Sequence, residues 1–218
     1  VLITAGLTGL FCYYVLNLPL LEGLLIGAVL GSTDAASVFS ILRSQRLNLR
    51  YGTASMLEIE SGSNDPFAYM LTMIVLSAMG GSLSPSQILM SVFSQIFVGI
   101  SAGLLIAWAA GIIMKRVHFG ENGLDSVFLA GVALASYAIP SVLGGNGYLS
   151  AYLAGILLGN QDIPGKKGLV NFFDALNGMM QMLIFFLLGL LVFPSRLPSV
   201  FLPSLFIALF LTFEARPA

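Results

Sequence analysis

Long apolar stretches separated by short polar clusters organise this sequence. Charge-free runs occupy 1–21, 66–114, 126–161, 175–195 and 197–213. About 20 mostly apolar residues suffice to cross ~30 Å of hydrocarbon as a helix, so each run is long enough to span a bilayer or contains such a span. In hydrocarbon every backbone amide must be paired, which leaves helices or a closed barrel, and runs of this length without two-residue alternation exclude the barrel. Breaks at Pro, Gly and charge clusters predict about eight transmembrane helices, over 1–17, 20–42, 52–79, 87–114, 124–143, 147–160, 171–193 and 199–218. The fold class is therefore an all-α polytopic membrane protein.

Composition sharpens this picture. Of 218 residues, 57% are hydrophobic and 9% charged, against roughly 25% charged in a soluble domain. A net charge of −1 with no basic patch offers nothing to nucleic acid. Cys12 is the only cysteine and lies in an apolar run, so it reads as a small apolar filler. The first run lacks a basic start and a cleavage site and reads as a mature span rather than a signal peptide. Both ends read as cuts, since the chain opens on Val1 and stops two residues past Arg216.

Basic residues set the orientation. Arg43, Arg46, Arg50, Lys115, Arg116, Lys166 and Lys167 fall in alternate connections, while the intervening ones carry only Arg196. Loops 43–50, 115–123 and 161–170 are thus predicted cytoplasmic, with 80–86, 144–146 and 194–198 on the outer side. Gly27/Gly31, Gly99/Gly103 and Gly155/Gly159 recur at four-residue spacing and predict close helix approach. Met179, Met180 and Met182 read as deformable packing, and His118, alone in a loop, reads as a solvated side chain.

Acids in the middle of spans carry the chemistry. Asp34 lies near the centre of 20–42 and Asp65 near the midpoint of 52–79. With Glu58 and Glu60 they would cost on the order of 10 kcal/mol facing lipid, so they must face protein, water or each other. Helical stacking sets Ser61 beside Asp65 and Glu60 beside Asn64, placing a hydroxyl and a carboxylate on one face. In Gly31-Ser32-Thr33-Asp34 the residues have weak helix propensity, so the helix is expected to open there. An unwound segment exposes carbonyls and helix ends, and hard oxygen ligands of this kind suit an alkali cation.

Gly31-Ser-Thr-Asp-Ala-Ala-Ser37 and Glu60-Ser-Gly-Ser-Asn-Asp-Pro66 resemble the paired core motifs of the sodium/proton exchanger family, in its bacterial NhaP-type branch. Residues 146–160 and 173–178 are similar to later segments of the same family. The resemblance implies a cation/proton antiporter of the bacterial inner membrane, built from inverted repeats with broken helices and usually a homodimer working as an elevator. It makes Asp65 the carboxylate that takes cation or proton, with Asn64 its partner in the Asn-Asp pair. Ser61, Thr33 and Asp34 complete the expected alkali-cation site, and Glu60 with Arg216 an expected structural ion pair. It implies sodium or potassium and a proton as substrates, no cofactor, and electroneutral exchange associated with the Asn-Asp pair. It also divides the chain into core-type helices (1–79), intervening helices with dimerisation and linker elements (80–193), and the truncated start of a second core part (199–218). The first family helices and those after Arg216 are expected to be missing.

Two other classes use intramembrane acids. An aspartyl protease would share a proton between two Asp residues, but Asp34 follows Thr33 and Asp65 follows Asn64, so neither Tyr-Asp nor Gly-x-Gly-Asp is present. A serine protease built on Ser61 or Ser63 would lack an intramembrane base. A cation channel would use the acids as a selectivity ring and is separated by its inability to show proton-coupled counterflow. Ligand oxygens leave sodium and potassium both open.

Overall fold

The computed structural model describes residues 1–33, 53–81, 84–117 and 123–216. Within them the chain forms α1 (Leu2–Val15), α2 (Leu20–Leu30), α3 (Thr53–Met79), α4 (Pro85–Arg116), α5 (Leu124–Val142), α6 (Gly147–Gly159), α7 (Lys166–Leu191) and α8 (Leu197–Phe210). A 3₁₀ turn, Pro194–Arg196, leads into α8, and the chain leaves it through a π turn, Leu211–Ala215. No strand occurs among the described residues. Ser86–Arg116, Leu124–Val142, Lys166–Leu191 and the composite Pro194–Ala215 are each long and apolar enough to cross a membrane. At 27 residues α3 extends about 40 Å and is also long enough, although its polar 60–66 stretch dilutes its apolar character.

Local sequence explains the ends. Ser84 accepts from the Gln87 backbone at 3.4 Å while the Gln87 side chain accepts from the Ser84 backbone at 2.7 Å, and Pro85 occupies the first helical turn, so α4 starts two residues ahead of the predicted 87. Lys115 and Arg116 close α4 where the dipole favours cations. Another boundary differs in α7, which begins at Lys166 instead of 171. Gly165 turns the chain at φ 71, a left-handed conformation open to glycine, and Lys166 and Lys167 stand in the first turn instead of in the loop.

Two groups of helices flank α3. On one side α1 packs on α2, and α8 joins α1 through stacked Phe11 and Phe210 rings 4.2 Å apart. Backbones approach closely here: a Cβ on Gly23 would lie 2.7 Å from the Gly9 carbonyl oxygen, and one on Gly27 would collide with the Ala5 carbonyl. On the other side α4, α5 and α6 pack together, with Cβ positions at Gly99 and Gly103 falling 2.9 and 2.7 Å from the carbonyls of Asn146 and Ser150. Gly155 and Gly159 depart from expectation: no neighbour lies within 4 Å of their Cβ positions, and both line a cavity of about 410 Å³ between α5, α6 and α7. The buried core gathers Ala107, Met114, Leu129, Ala154, Leu158 and Leu169 on the side predicted cytoplasmic. Cys12 is fully buried, as an apolar filler should be. Between the groups runs α3, touching α2 on one side and α4 and α6 on the other.

Candidate functional site

The site is built where α2 stops. Helical geometry ends at Leu30, Gly31 caps it, and Ser32 and Thr33 leave the helix, as their weak propensity predicts. Freed from the helical ladder, the Thr33 carbonyl accepts from the Ser61 hydroxyl at 2.8 Å. The Thr33 hydroxyl oxygen accepts from the Asn64 side-chain amide at 3.0 Å. The Ser32 hydroxyl donates to one carboxylate oxygen of Asp65. Five polar side chains and one carbonyl, drawn from two motifs about 30 residues apart, thus meet in one place.

On the other strand of this meeting, α3 presents Ser61, Asn64 and Asp65 within little more than one helical turn, so all three share the face toward the end of α2. Pro66 follows directly. It has no N–H, so it withdraws from the Gly62 carbonyl the donor that a regular helix would supply and weakens the ladder beside Asp65. Gly62 has a second role: a Cβ there would collide with the Tyr152 ring, so only glycine lets α6 come this close. Asn146 stands at the head of α6, where its side chain donates to the Pro66 carbonyl at 2.8 Å and accepts from Leu149 N–H at 3.0 Å.

Of the residues expected at the site, the structure joins Thr33, Ser61, Asn64 and Asp65. Asp34 and His118 lie outside the described residues. Glu60 and Arg216 are both exposed, and the Leu211–Ala215 turn that leads into Arg216 packs on α1. Their pairing rests on the resemblance alone. Two residues escaped the sequence reading. Ser32 was visible in the motif, but once a helix ends, stacking rules no longer tell which hydroxyl crosses to the next helix. Asn146 carried the signal of an Asn ahead of an apolar run, a helix cap; its reach to α3 had no local signature.

The oxygens of Asp65, Ser32, Ser61 and Thr33 form a hard donor set suited to an alkali cation and unsuited to a soft metal. In an all-α, multi-pass integral membrane protein, a carboxylate and hydroxyls gathered at a helix end are features of an ion-pathway site. More specifically, the chain belongs to the sodium/hydrogen exchanger family, whose transmembrane model matches residues 1–218. It is 40% identical over 222 residues to the K(+)/H(+) antiporter NhaP2 of Shewanella sp. (strain MR-4), covering 100% of this chain and 38% of that protein. It is 37% identical over 241 residues to the K(+)/H(+) antiporter NhaP of Alkalimonas amylolytica, with coverage of 100% and 38%. It is also 32% identical over 228 residues to the Na(+)/H(+) antiporter 1 of Methanocaldococcus jannaschii, with coverage of 99% and 53%. The chain therefore spans about two fifths of the length of the bacterial relatives it matches.

Proposed function

We propose that this chain carries the exchange site of a secondary transporter of the bacterial inner membrane, which swaps a monovalent cation for a proton at Asp65. The observation that supports this reading is the convergence of Ser32 and Thr33, at the broken end of α2, on Ser61, Asn64 and Asp65 of α3. A carboxylate binds one cation or one proton. The surrounding hydroxyl and carbonyl oxygens replace part of a cation's hydration shell, while a hydroxyl can turn from donor to acceptor when the acid is protonated. Asp65 is exposed on the surface this chain presents, so within the bilayer it faces water or further protein, as an exchanging group must. Asp34, carried over from the family motif, is assigned to the same cation site.

The wider reading follows the family: a homodimer of inverted repeats, with 1–79 and the helix from 199 in a moving core, and 80–193 in the part that supports it. Exchange is one for one by an elevator motion. Potassium is the first cation to test, because the two bacterial relatives above are named as potassium/proton antiporters, with sodium beside it because the archaeal one is named for sodium. The test is cation-driven proton release from proteoliposomes holding the full-length protein, with potassium, sodium and lithium chloride in turn. Saturable counterflow that Asp65→Asn abolishes, in a variant that still folds, is the expected result. Exchange that survives this substitution removes Asp65 from its role, and cation flux without proton counterflow selects the channel.

A further inference from the structure

Asn146 holds more partners than a helix cap requires. It is 2% exposed. Its backbone N–H donates to the Gln95 carbonyl of α4 at 3.0 Å, and its carbonyl accepts from Ser150 at 3.1 Å. Its side-chain oxygen caps α6 at the Leu149 N–H, and its side-chain nitrogen reaches the Pro66 carbonyl of α3, 80 residues away in sequence. Three helices are thus tied to a single buried residue, α4 through its backbone and α3 and α6 through its side chain.

Capping alone does not call for asparagine. Ser, Thr and Asp cap about as well, because a cap needs only an acceptor. Asparagine alone among them also offers an amide donor, and here that donor goes to the residue that follows Asp65. This is also the turn where Pro66 has removed a ladder donor, so the height and rotation of α3 are least defined by its own hydrogen bonds. A donor fixed from another helix supplies that definition. We propose that Asn146 is a positioning residue for the exchange reaction: through the Pro66 carbonyl it holds the Asp65 carboxylate toward Ser32, Ser61 and Thr33. The proposal rests on the reading of Asp65 as the exchanging carboxylate.

Cap and donor can be separated by substitution. Asn146→Ser keeps an acceptor for α6 and loses the amide that reaches Pro66, whereas Asn146→Ala loses both; Asn146→Thr repeats the first test if the serine variant accumulates poorly. Each is made in the full-length protein, reconstituted, and assayed with potassium and sodium chloride for the cation concentration at half-maximal exchange, for maximal rate and for melting temperature. Losing one hydrogen bond's worth of placement should raise the half-maximal concentration about fivefold in both the serine and the alanine variants, with maximal rate little changed. Both should lower the melting temperature, alanine by more because it also loses the α6 cap. A serine or threonine variant with unaltered half-maximal concentration overturns the proposal, whether or not its stability changes. Asp65→Asn in the same liposomes separates the two readings: if it still exchanges, the exchange site itself is misassigned, and if it is inactive while Asn146→Ser matches the parent, only the positioning role falls.

Discussion

The side-chain amide of Asn64 donates to the hydroxyl oxygen of Thr33 at 3.0 Å, joining two residues 31 apart in sequence. Both are half-buried, so the bond is shielded from water. It fixes how the end of α2 sits against α3, and through it where the Thr33 carbonyl and Ser32 hydroxyl stand. A neutral bond of this kind contributes about 1 kcal/mol. Asn64→Ala and Thr33→Val should each destabilise the full-length protein by about that much, and the double variant should lose little more than either alone. Thermal melts arranged as a double-mutant cycle check this; strict additivity would show that the two side chains do not interact.

Ser32 should matter more to binding than to folding. Its hydroxyl donates to an Asp65 carboxylate oxygen, and hydrogen bonds to charged groups are worth about 1.5–3 kcal/mol. Ser32→Ala removes both that donor and an oxygen of the proposed cation site, so the potassium or sodium concentration at half-maximal exchange should rise on the order of tenfold. Ser32→Thr keeps the hydroxyl and should restore most of the affinity. An alanine variant with the parent's concentration dependence would show that Ser32 is not a partner of the exchanging carboxylate.

What the sequence revealed and what it hid divide along physical lines. The helices of the bundle were legible because hydrocarbon permits few alternatives to an uninterrupted apolar helix, and α3 was placed to within a residue at each end. The break after Leu30 was legible too, because Gly31, Ser32 and Thr33 weaken a helix by local chemistry. Ser61, Asn64 and Asp65 could be assigned to one face since helical stacking is itself local. Contacts between helices had no such basis. That Ser32 reaches Asp65, that Tyr152 fills the space left by Gly62, and that Asn146 reaches Pro66 all depend on how α2, α3 and α6 cross. Spacing misled for Gly155 and Gly159, whose Cβ positions face a cavity instead of a neighbouring backbone.

Gly62 is the tightest of these crossings near the site. An added Cβ would overlap the Tyr152 ring of α6. Overpacking of this kind costs about 1–3 kcal/mol. Gly62→Ala should therefore lower the melting temperature and, by pushing α3 away beside Asp65, weaken exchange. Trimming the obstacle should repair it: Gly62→Ala with Tyr152→Leu should be more stable than Gly62→Ala alone. If the second substitution only adds to the damage, the ring is not what the glycine makes room for.

Exchange by the whole protein should be electroneutral, one cation for one proton. Antiport needs a carrier that crosses loaded with either ion but not with both, and a single titrating carboxylate supplies that rule. Beside Asp65 stands Asn64, whose amide is engaged by the Thr33 hydroxyl and has no proton to exchange near neutral pH. A second acid in the cycle would change the stoichiometry, and Asp34, the acid of the other motif, is the one to test. Membrane potential separates the two cases. It performs about 2.3 kcal/mol of work per net charge per 100 mV, enough to shift an electrogenic equilibrium roughly fiftyfold, whereas a neutral cycle does not respond. Proteoliposomes clamped at about 0 and −100 mV, with identical proton gradients, should therefore reverse their flux at the same cation gradient. A reversal point that moves with potential would mean that more than one proton crosses per cation, and Asp34→Asn would be the first variant to return it to neutrality.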